Sequence, residues 1–577
     1  GSLILASTPY NPAMESNDAT IGQHSSPVVE TMQQLIIAFV LAMTFRGFVA
    51  EGFVIPTGSM APTLLGRHLQ VTSASTGYEF AIGYEQGSNA VDNATLRRFV
   101  DPNLESVNTW KLNDTNNLIY PGSAVFGAMN NLTPRLGDRI FVLKTLYPFV
   151  EPSRFDVVVF KNPTDPVGDA QNYIKRLVGL PNETVWFADG DVFTKPTGEE
   201  SFHVRRKPEH VQRAVWQPVH DSDAIVVDSA AFRTQYVRGG RPFPTSPWSS
   251  PSWTLDDCVY RCATDEPTTL TWDSERFPIT DWNHYNLLQQ RLYLLAAWPV
   301  SDIRVSAGII REKAGLDTTY TLRARSHVFE FNITEKNATV RMYRADGDSD
   351  DQVASAEAAI TLPEPGKPFN VEFWHVDQAM SIFINGERVV HLDYEWTAEQ
   401  RMRFATGMLD ERISLNEMYD RLARADAERR SLRPDPSDPI LAPELSWTFA
   451  GTPISMQRVR VDRDLAYQFV GAISVARRDS SRGPTRMPAY GTHPDTLAEL
   501  GPDQFMMAGD NSPGSSDSRL WGEPHPIVEA QIDDAPFLVH RKLLLGKAWV
   551  VYFPSPQPRA PGGAKTVPDF GSLRFIR

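Results

Sequence analysis

The sequence predicts a mainly β chain with one apolar helix near its N-terminal side and a β-sandwich in its middle. Three observations predict it. Residues 298–400 repeat short stretches of alternating apolar and polar residues, "TYTLRARS", "HVFEFNIT", "ATVRMYRA", "FNVEFWHV" and "MSIFINGERVVHLDY", with Asn385-Gly386 as a hairpin signal inside the last. Residues 173–178 read as a further strand, ended by Gly179 and Pro181. The most apolar stretch, "QLIIAFVLAMTFRGFVAEGFVIP", occupies residues 34–56.

At 577 residues the chain is too long for a single hydrophobic core and divides into about three or four domains. Hydrophobic residues at 41 % and charged ones at 22 % are ordinary globular usage, which excludes a disordered scaffold. A net charge of -14 without clustered Lys and Arg excludes nucleic acid as the main partner and leaves no polybasic membrane patch. Cys258 and Cys262 cannot build a metal site of usual spacing by themselves. A helical segment would hold them near the upper limit for a disulfide, so they read as unpaired thiols, and the redox compartment stays open.

In chain order, residues 1–27 are a polar tail with Glu15 and Asp18 but no Lys or Arg, so charge sets no membrane orientation. Residues 28–50 follow as a helix. Its uninterrupted apolar run, 35–45 with Thr44 inside, spans 11 residues, whereas a full membrane span needs roughly 20. A buried core helix, the apolar region of a secretory signal and a short anchor all fit. With Glu30 and Arg46 at the two interfaces, the intervening residues rise about 23 Å.

"IPTGSMAPTLLG", residues 55–66, then places Ser59 beside a glycine in apolar company. A base for it comes from "DAQNYIKRLVGLPNETV". Strand alternation turns Lys175 away from Ile174 and Arg176, so one of the two cations is expected in the interior and the other in solvent. Burial disfavours the ammonium and leaves an amine able to take a proton from a serine; an exposed strand lysine is the plainer alternative. A third stretch, "FMMAGDNSPGSSDSRLWG", residues 505–522, concentrates turn formers, with Phe505, Met506, Met507 and Trp521 to hold the loop on a core.

Together these stretches resemble the boxes of type I signal peptidases, membrane-anchored Ser/Lys proteases that remove signal peptides from exported proteins. "IPTGSMAPTL" resembles the nucleophile box, "LGDRIFVLK" and "RFDVVVFKNP" the next strands, "YIKRLVGLPNETV" the lysine box, "GDNSPGSSDSRLWG" the last box and "LLLGKAWVVYFP" the closing strand. The likeness covers roughly residues 30–195 and 495–577. It implies Ser59 as nucleophile and Lys175 as general base. The Thr57 hydroxyl and the Ser59 N–H would form the oxyanion hole, and Ser515 would hydrogen-bond the lysine amine. Asp517 and Arg519 would be a supporting ion pair, and Phe53, Ile55, Met60, Leu64 and Ile174 would line shallow pockets for small residues. Ser512, Pro513 and Gly514 depart from the Arg-Asp-Asn usual in the last box. Residues 67–134 are longer than in compact members, and "VTSASTGYEF" has the rhythm of a zinc-ribbon knuckle with Ser and Thr where Cys would stand. No metal and no cofactor are expected.

The lysine box and last box are separated by an insertion. Residues 196–297, with "RPFPTSPWSSPSW", read as an irregular Pro- and Trp-rich segment, and 298–490 as the sandwich, similar in rhythm to concanavalin-like or laminin-G-like folds. Trp374 and Trp396 are expected as core or edge aromatics ahead of sugar-facing ones. Residues 409–433 form a charged helix with Leu415, Met418, Tyr419 and Leu422 on one face, ended by Pro434 and Pro436 and expected to pack on the sandwich. The resemblance thus implies an antiparallel β catalytic domain over 51–195 and 491–577, into which the sandwich is inserted.

The resemblance implies a single-pass protein of the bacterial inner membrane with its catalytic domain on the outer, periplasmic face. Its partners would be the lipid bilayer and exported preproteins with Ala-X-Ala-like cleavage sites. The insertion's own partner is not legible. A catalytically weak membrane scaffold whose sandwich binds glycan or protein is the alternative. Self-cleaving Ser/Lys repressors are disfavoured by the apolar segment before Ser59 and the lack of a DNA-binding helical region.

Overall fold

The computed structural model describes residues 27–44, 50–72, 76–84, 134–144, 146–168, 172–225, 237–238, 241–242, 246–288, 297–346, 352–430, 440–471, 473–475, 485–558 and 566–577. The polar tail before residue 27, residues 85–133 of the long segment after the first box, and Pro434 and Pro436 lie outside them. The chain divides between Glu51 and Gly52 into two compact units.

The first unit contains α1 (Pro27–Thr44), an 18-residue helix with Glu30 in its first turn. Leu35, Ile36, Ile37, Phe39, Val40 and Leu41 are all exposed on it. Among the described residues no helix is long and apolar enough to cross a membrane; of the helix expected over residues 28–50, the described part is Pro27–Thr44.

In the second unit, β1 (Ala50–Val54, from Gly52 on), β2 (His68–Thr72), β3 (Glu79–Gly83), β4 (Arg139–Leu143), β5 (Val157–Lys161) and β6 (Asn172–Gly179) come first. β7 (Glu183–Ala188) and β8 (Asp191–Pro196) follow as a hairpin. After the insertion come β9 (Gln504–Ala508), β10 (Val539–His540), β11 (Leu544–Phe553) and β12 (Arg574–Phe575). β1, β4–β6 and β9–β12 build one sheet in the order β1-β4-β11-β5-β6-β9-β10, with β12 also on β11, while β2-β3 and β7-β8 lie in two other sheets. Strands from before and after the insertion thus alternate in a single sheet, so the insertion interrupts the sequence without interrupting the fold. β6 is central: Val158 of β5 faces Lys175 across one ladder, and Ala508 of β9 faces Arg176 across the other.

The sandwich forms as two antiparallel sheets. One runs through Ile303–Arg311, Phe369–Val376, Ala379–Ile384 and Glu387–Asp393, the other through Asp317–Ala324, His327–Thr334, Asn337–Arg344 and Gln352–Ala359. Inward residues alternate strictly along Ile303–Arg311, and Asn385 and Gly386 take the positive φ values of 52° and 84° that a tight hairpin turn requires. The segment expected to be irregular supplies strands as well. Trp253–Asp256 and Val259–Cys262 extend the first sheet, and Trp248–Ser249 and Thr268–Trp272 extend the second. Here the buried Trp248, Trp253 and Trp272 are core residues, so a Trp-rich composition that masked the alternation marks the sandwich's own interior. Trp374 and Trp396 are buried too. Both cysteines are free.

Among the helices of the insertion are α2 (Ala398–Thr406) and α3 (Leu415–Arg430), besides a short one at Glu209–Val215. Met418, Tyr419 and Leu422 are buried as the helical periodicity requires, but their partners differ from the expectation. They pack with Trp186 and Phe193 of the β7–β8 hairpin rather than on the sandwich, and Trp186 Nε1 donates to Tyr419 Oη at 3.1 Å. The face was legible from i, i+3, i+4 spacing; the surface it meets depends on where the hairpin lies.

A buried salt-bridge core joins these parts. Arg401 of α2 reaches Asp189 and Asp302 at 2.9 Å and Asp191 at 2.7 Å, while Arg325 holds Asp189 and Asp302. Lys207 binds Asp377 at 2.6 Å and Asp464 at 2.7 Å. Asp191, Asp302 and Asp464 bring carboxylate oxygens within 4.8 Å of one another, with Arg401 and Lys207 paired to them. Burial, reinforced by the neighbouring Asp302, pushes the Asp191 carboxyl well up although Arg401 opposes it. Removing one partner of such a buried pair strands the others without solvation. Arg401→Met is therefore expected to cost about 3–5 kcal/mol, read as a lowered denaturant midpoint, with Arg401→Lys retaining more stability than Arg401→Met.

Candidate active site

The turn carrying Ser59 is closed by short backbone bonds: Ala61 N donates to Gly58 O at 3.0 Å, Leu64 N to Met60 O at 2.9 Å, and Ile55 N to Asp138 O at 2.9 Å. Ser59 is nearly buried and Thr57, two residues earlier, is exposed. Lys175 projects from the centre of β6 to this turn. Its Nζ lies 2.7 Å from Ser59 Oγ and 3.2 Å from Ile174 O, and 5.0 Å from the centre of the Tyr173 ring.

Desolvation dominates the electrostatics of the amine. Burial lowers its pKa from 10.5 to about 8, against the opposing charges of Asp517 and Asp510 and with the help of Arg519. An ammonium donates to the hydroxyl oxygen across the 2.7 Å contact; once the amine is neutral, the same contact lets the hydroxyl donate to the nitrogen.

Asp517 and Arg519 form a two-pronged ion pair, Nε to Oδ1 at 2.9 Å and Nη2 to Oδ2 at 2.8 Å. Asp517 Oδ2 also accepts from Gly509 N at 2.9 Å, and Arg519 Nη1 donates to Ser512 Oγ at 2.7 Å. The departing tip, Ser512–Gly514, folds as a single 3-10 turn and is tied down by this arginine. Ser515 differs from its expected place. Its hydroxyl is buried with no hydrogen-bond partner instead of bonding the lysine amine. It packs on Gly509, where a Cβ would stand 2.2 Å from Ser515 Oγ and 2.4 Å from Ser59 O. A residue larger than glycine would push the loop off the serine.

Strand alternation predicted that one of Lys175 and Arg176 would meet solvent, yet both are buried. Arg176 grips Asp510 with Nε at 2.7 Å and Nη2 at 2.6 Å, and gives Nη1 to Phe155 O at 2.7 Å. β6 is covered on both faces, and Asp510 supplies the charge that makes the second burial tolerable. Asp510 was visible in the quoted Gly-Asp-Asn; its partner was not. Asn511, next along, gives its N–H to Ser59 O at 3.1 Å and its Nδ2 to Gly58 O at 2.9 Å. It is the Asn of that same Gly-Asp-Asn, but nothing in the sequence assigned it a role.

Ile55, Met60, Leu64 and Ile174 converge in one buried cluster with Ile140, Val142, Val157 and Val159, and the half-buried Phe53 packs against it. Met60 and Leu64 are fully enclosed, so they form the floor beneath the serine turn. Clefts of about 230 and 350 Å³ open where Thr63, Trp216, Trp549 and Phe575 meet solvent; neither is lined by Ser59 or Lys175.

Residues 124–228 match the family described as signal peptidase, peptidase S26. The stretch includes Lys175 and leaves the Ser59 turn and the 509–519 loop outside. Signal peptidase I V of Bacillus subtilis (strain 168) is 34 % identical over 77 residues, 13 % of this chain and 43 % of that protein. Signal peptidase I of Leptolyngbya laminosa is 32 % identical over 83 residues, 14 % of this chain and 40 % of that protein. The chain thus spans less than half the length of these curated relatives. Among solved structures, the carbohydrate binding module CBM66 from Bacillus subtilis matches at 8 % identity over 37 % of this chain and 95 % of its own, with a TM-score of 0.20. The Caenorhabditis elegans galectin LEC-6 matches at 14 % identity over 28 % and 82 %, with a TM-score of 0.16. The resemblance to type I signal peptidases read from the sequence is supported by these family and sequence matches.

A lysine whose pKa is lowered by burial costs stability while it is protonated. Unfolding takes up a proton between about pH 8 and 10.5, so this group's contribution to stability rises with pH through that window and is least favourable below it. The difference amounts to roughly 3 kcal/mol. Lys175→Met, of similar shape and uncharged, is expected to melt no lower than the parent at pH 7, with any advantage shrinking towards pH 10.5; thermal unfolding across that pH range checks it.

Proposed function

We propose that this chain is a membrane-anchored serine endopeptidase that removes N-terminal signal peptides from exported preproteins through a Ser59–Lys175 dyad and an acyl-enzyme. The observation that carries this reading is the 2.7 Å contact between Ser59 Oγ and a buried lysine amine of lowered pKa. A hydroxyl is a weak nucleophile at neutral pH, and a neutral amine within hydrogen-bond reach is what activates it.

The neutral Lys175 amine takes the Ser59 proton as Oγ attacks the scissile carbonyl. Negative charge moves to the carbonyl oxygen, where the Ser59 N–H and the Thr57 hydroxyl are the proposed donors. The protonated Lys175 then gives its proton to the leaving amine. Water attacks the remaining ester with Lys175 as base again, the acid is released and Ser59 regains its proton. Asp517, gripped by Arg519, keeps the loop at Gly509 against the serine turn. The buried Ile55, Met60, Leu64 and Ile174 support the serine turn from within, and the half-buried Phe53 beside them is the proposed contact for small apolar residues of an Ala-X-Ala-like end.

Membrane anchoring rests on α1, whose large apolar side chains are exposed and whose 18 residues rise about 27 Å. A helix of this length suits a locally thinned bilayer, with the catalytic domain on the periplasmic face of a bacterial inner membrane.

Cleavage of a signal-peptide-bearing precursor by the detergent-solubilised chain tests the reading. Wild type is expected to cut after an Ala-X-Ala-like site, and Ser59→Ala and Lys175→Ala each to abolish the cut; a folded wild type that leaves several precursors intact would overturn it in favour of a binding scaffold. Thr57→Val is expected to lower turnover by about 10² to 10³. Because only the neutral amine serves as base, the rate should climb with pH up to about 8 and level off above it, a profile obtained from initial rates between pH 6 and 10.

A further inference from the structure

We propose that Tyr285 and Asn286, which belong to the inserted segment, are positioning residues for Ser59, so that the insertion completes the catalytic site. The proposal rests on the dyad reading above.

Gly58 immediately precedes Ser59, and a Cβ added there would stand 1.9 Å from a ring carbon of Tyr285. The phenol ring therefore lies directly on the backbone of the serine turn, in space that only glycine leaves. The same ring presses on Gly83 of β3, where a Cβ would stand 2.3 Å away, and Tyr285 Oη donates to Arg67 O at 3.0 Å. It is a wedge between the serine turn and the β2–β3 hairpin. Asn283 adds a bond from Nδ2 to Ala61 O at 3.3 Å and orients the wedge by accepting from Tyr285 N at 2.9 Å.

Asn286 acts from the other side. Its amide pairs with that of Asn511 through two bonds, Asn286 Nδ2 to Asn511 Oδ1 and Asn511 Nδ2 to Asn286 Oδ1, both 2.8 Å. Asn511 in turn holds the carbonyls of Gly58 and Ser59. Both amides are fully buried, where unmade polar contacts are costly and the geometry is correspondingly fixed. Residues 58, 59 and 61 are thus held directly or through Asn511 by three inserted side chains. The position of Ser59 Oγ against Lys175 Nζ depends on that turn, and a displacement of about 1 Å in such a pair lowers turnover by about 10².

A merely structural contact would change stability and leave the chemistry of surviving folded enzyme alone. Two readouts on the full-length chain separate the cases. In precursor cleavage, Asn286→Leu and Tyr285→Ala are expected to lower kcat by about 10² with KM within about twofold, while Tyr285→Phe, which keeps the wedge, retains most of kcat. The second readout needs no turnover. In a Cys258→Ser, Cys262→Ser background, Ser59→Cys places a thiol beside Lys175, and its alkylation by iodoacetamide is followed against pH. A thiol beside a lysine ammonium titrates below the usual value of about 8.5; adding Asn286→Leu is expected to move it up towards that value and slow alkylation at neutral pH. Folded Asn286→Leu and Tyr285→Ala chains with unchanged kcat and an unchanged alkylation profile would overturn the proposal. A wild type that cleaves nothing while the alkylation profile still shifts would instead overturn the peptidase reading and leave the positioning in place.

Discussion

In the proposed mechanism the Lys175 amine has to be out of water to serve as a base near neutral pH, and the surroundings of Lys175 meet that constraint. Lys175 is carried to the interior by a central strand, its ladder partner Val158 lies in a buried apolar cluster with Phe160 and Leu177, and Ser59 is its nearest polar contact. The nearby carboxylates of Asp517 and Asp510 would restore the ammonium if left alone. Each is instead held by an arginine, Arg519 or Arg176, so burial wins and the amine titrates at about 8. The two ion pairs are thereby part of the electrostatics of the dyad as well as of the loop's shape.

The insertion is bound into this arrangement at two levels. Far from the dyad, Arg401 and Arg325 fasten the sandwich and α2 to the β7–β8 turn through Asp189, Asp191 and Asp302. Close to it, Tyr285 and Asn286 touch the serine turn and the 509–519 loop. A domain that hung from the catalytic sheet by a linker would need neither. On the proposed reading, these contacts tie the Ser59 turn to the insertion, so a change in one is expected to be felt in the other.

Much of the fold was legible because it is written in local periodicity. The sandwich strands between 317 and 393 stand where alternation put them, and the Asn385-Gly386 turn takes the backbone that its residues favour. Legibility failed where composition hid the period, as in the Trp-rich strands at 248–272, whose aromatics are core. It failed again where a face was visible but its partner was not: α3 buries the residues expected of it against β7–β8 instead of the sandwich. At the site, Ser59, Lys175, Asp517 and Arg519 could be picked out from the order of the boxes. The same resemblance assigned Ser515 a bond that its hydroxyl does not make.

By itself the sequence determined the sandwich strands between 317 and 393, the turn at Asn385-Gly386, and that a Gly-adjacent serine and a strand lysine are available as a pair. Those are short-range matters, set by alternation, turn chemistry and residue type within a few positions. Only the tertiary structure decided that Arg176 is buried as fully as Lys175, that Asp510 compensates it, and that an inserted tyrosine lies on Gly58 while an inserted asparagine grips the loop that holds Ser59. Each depends on which faces of β6 and of the serine turn are covered by chain more than 200 positions away. A dihedral preference or a local period carries no information about that distance.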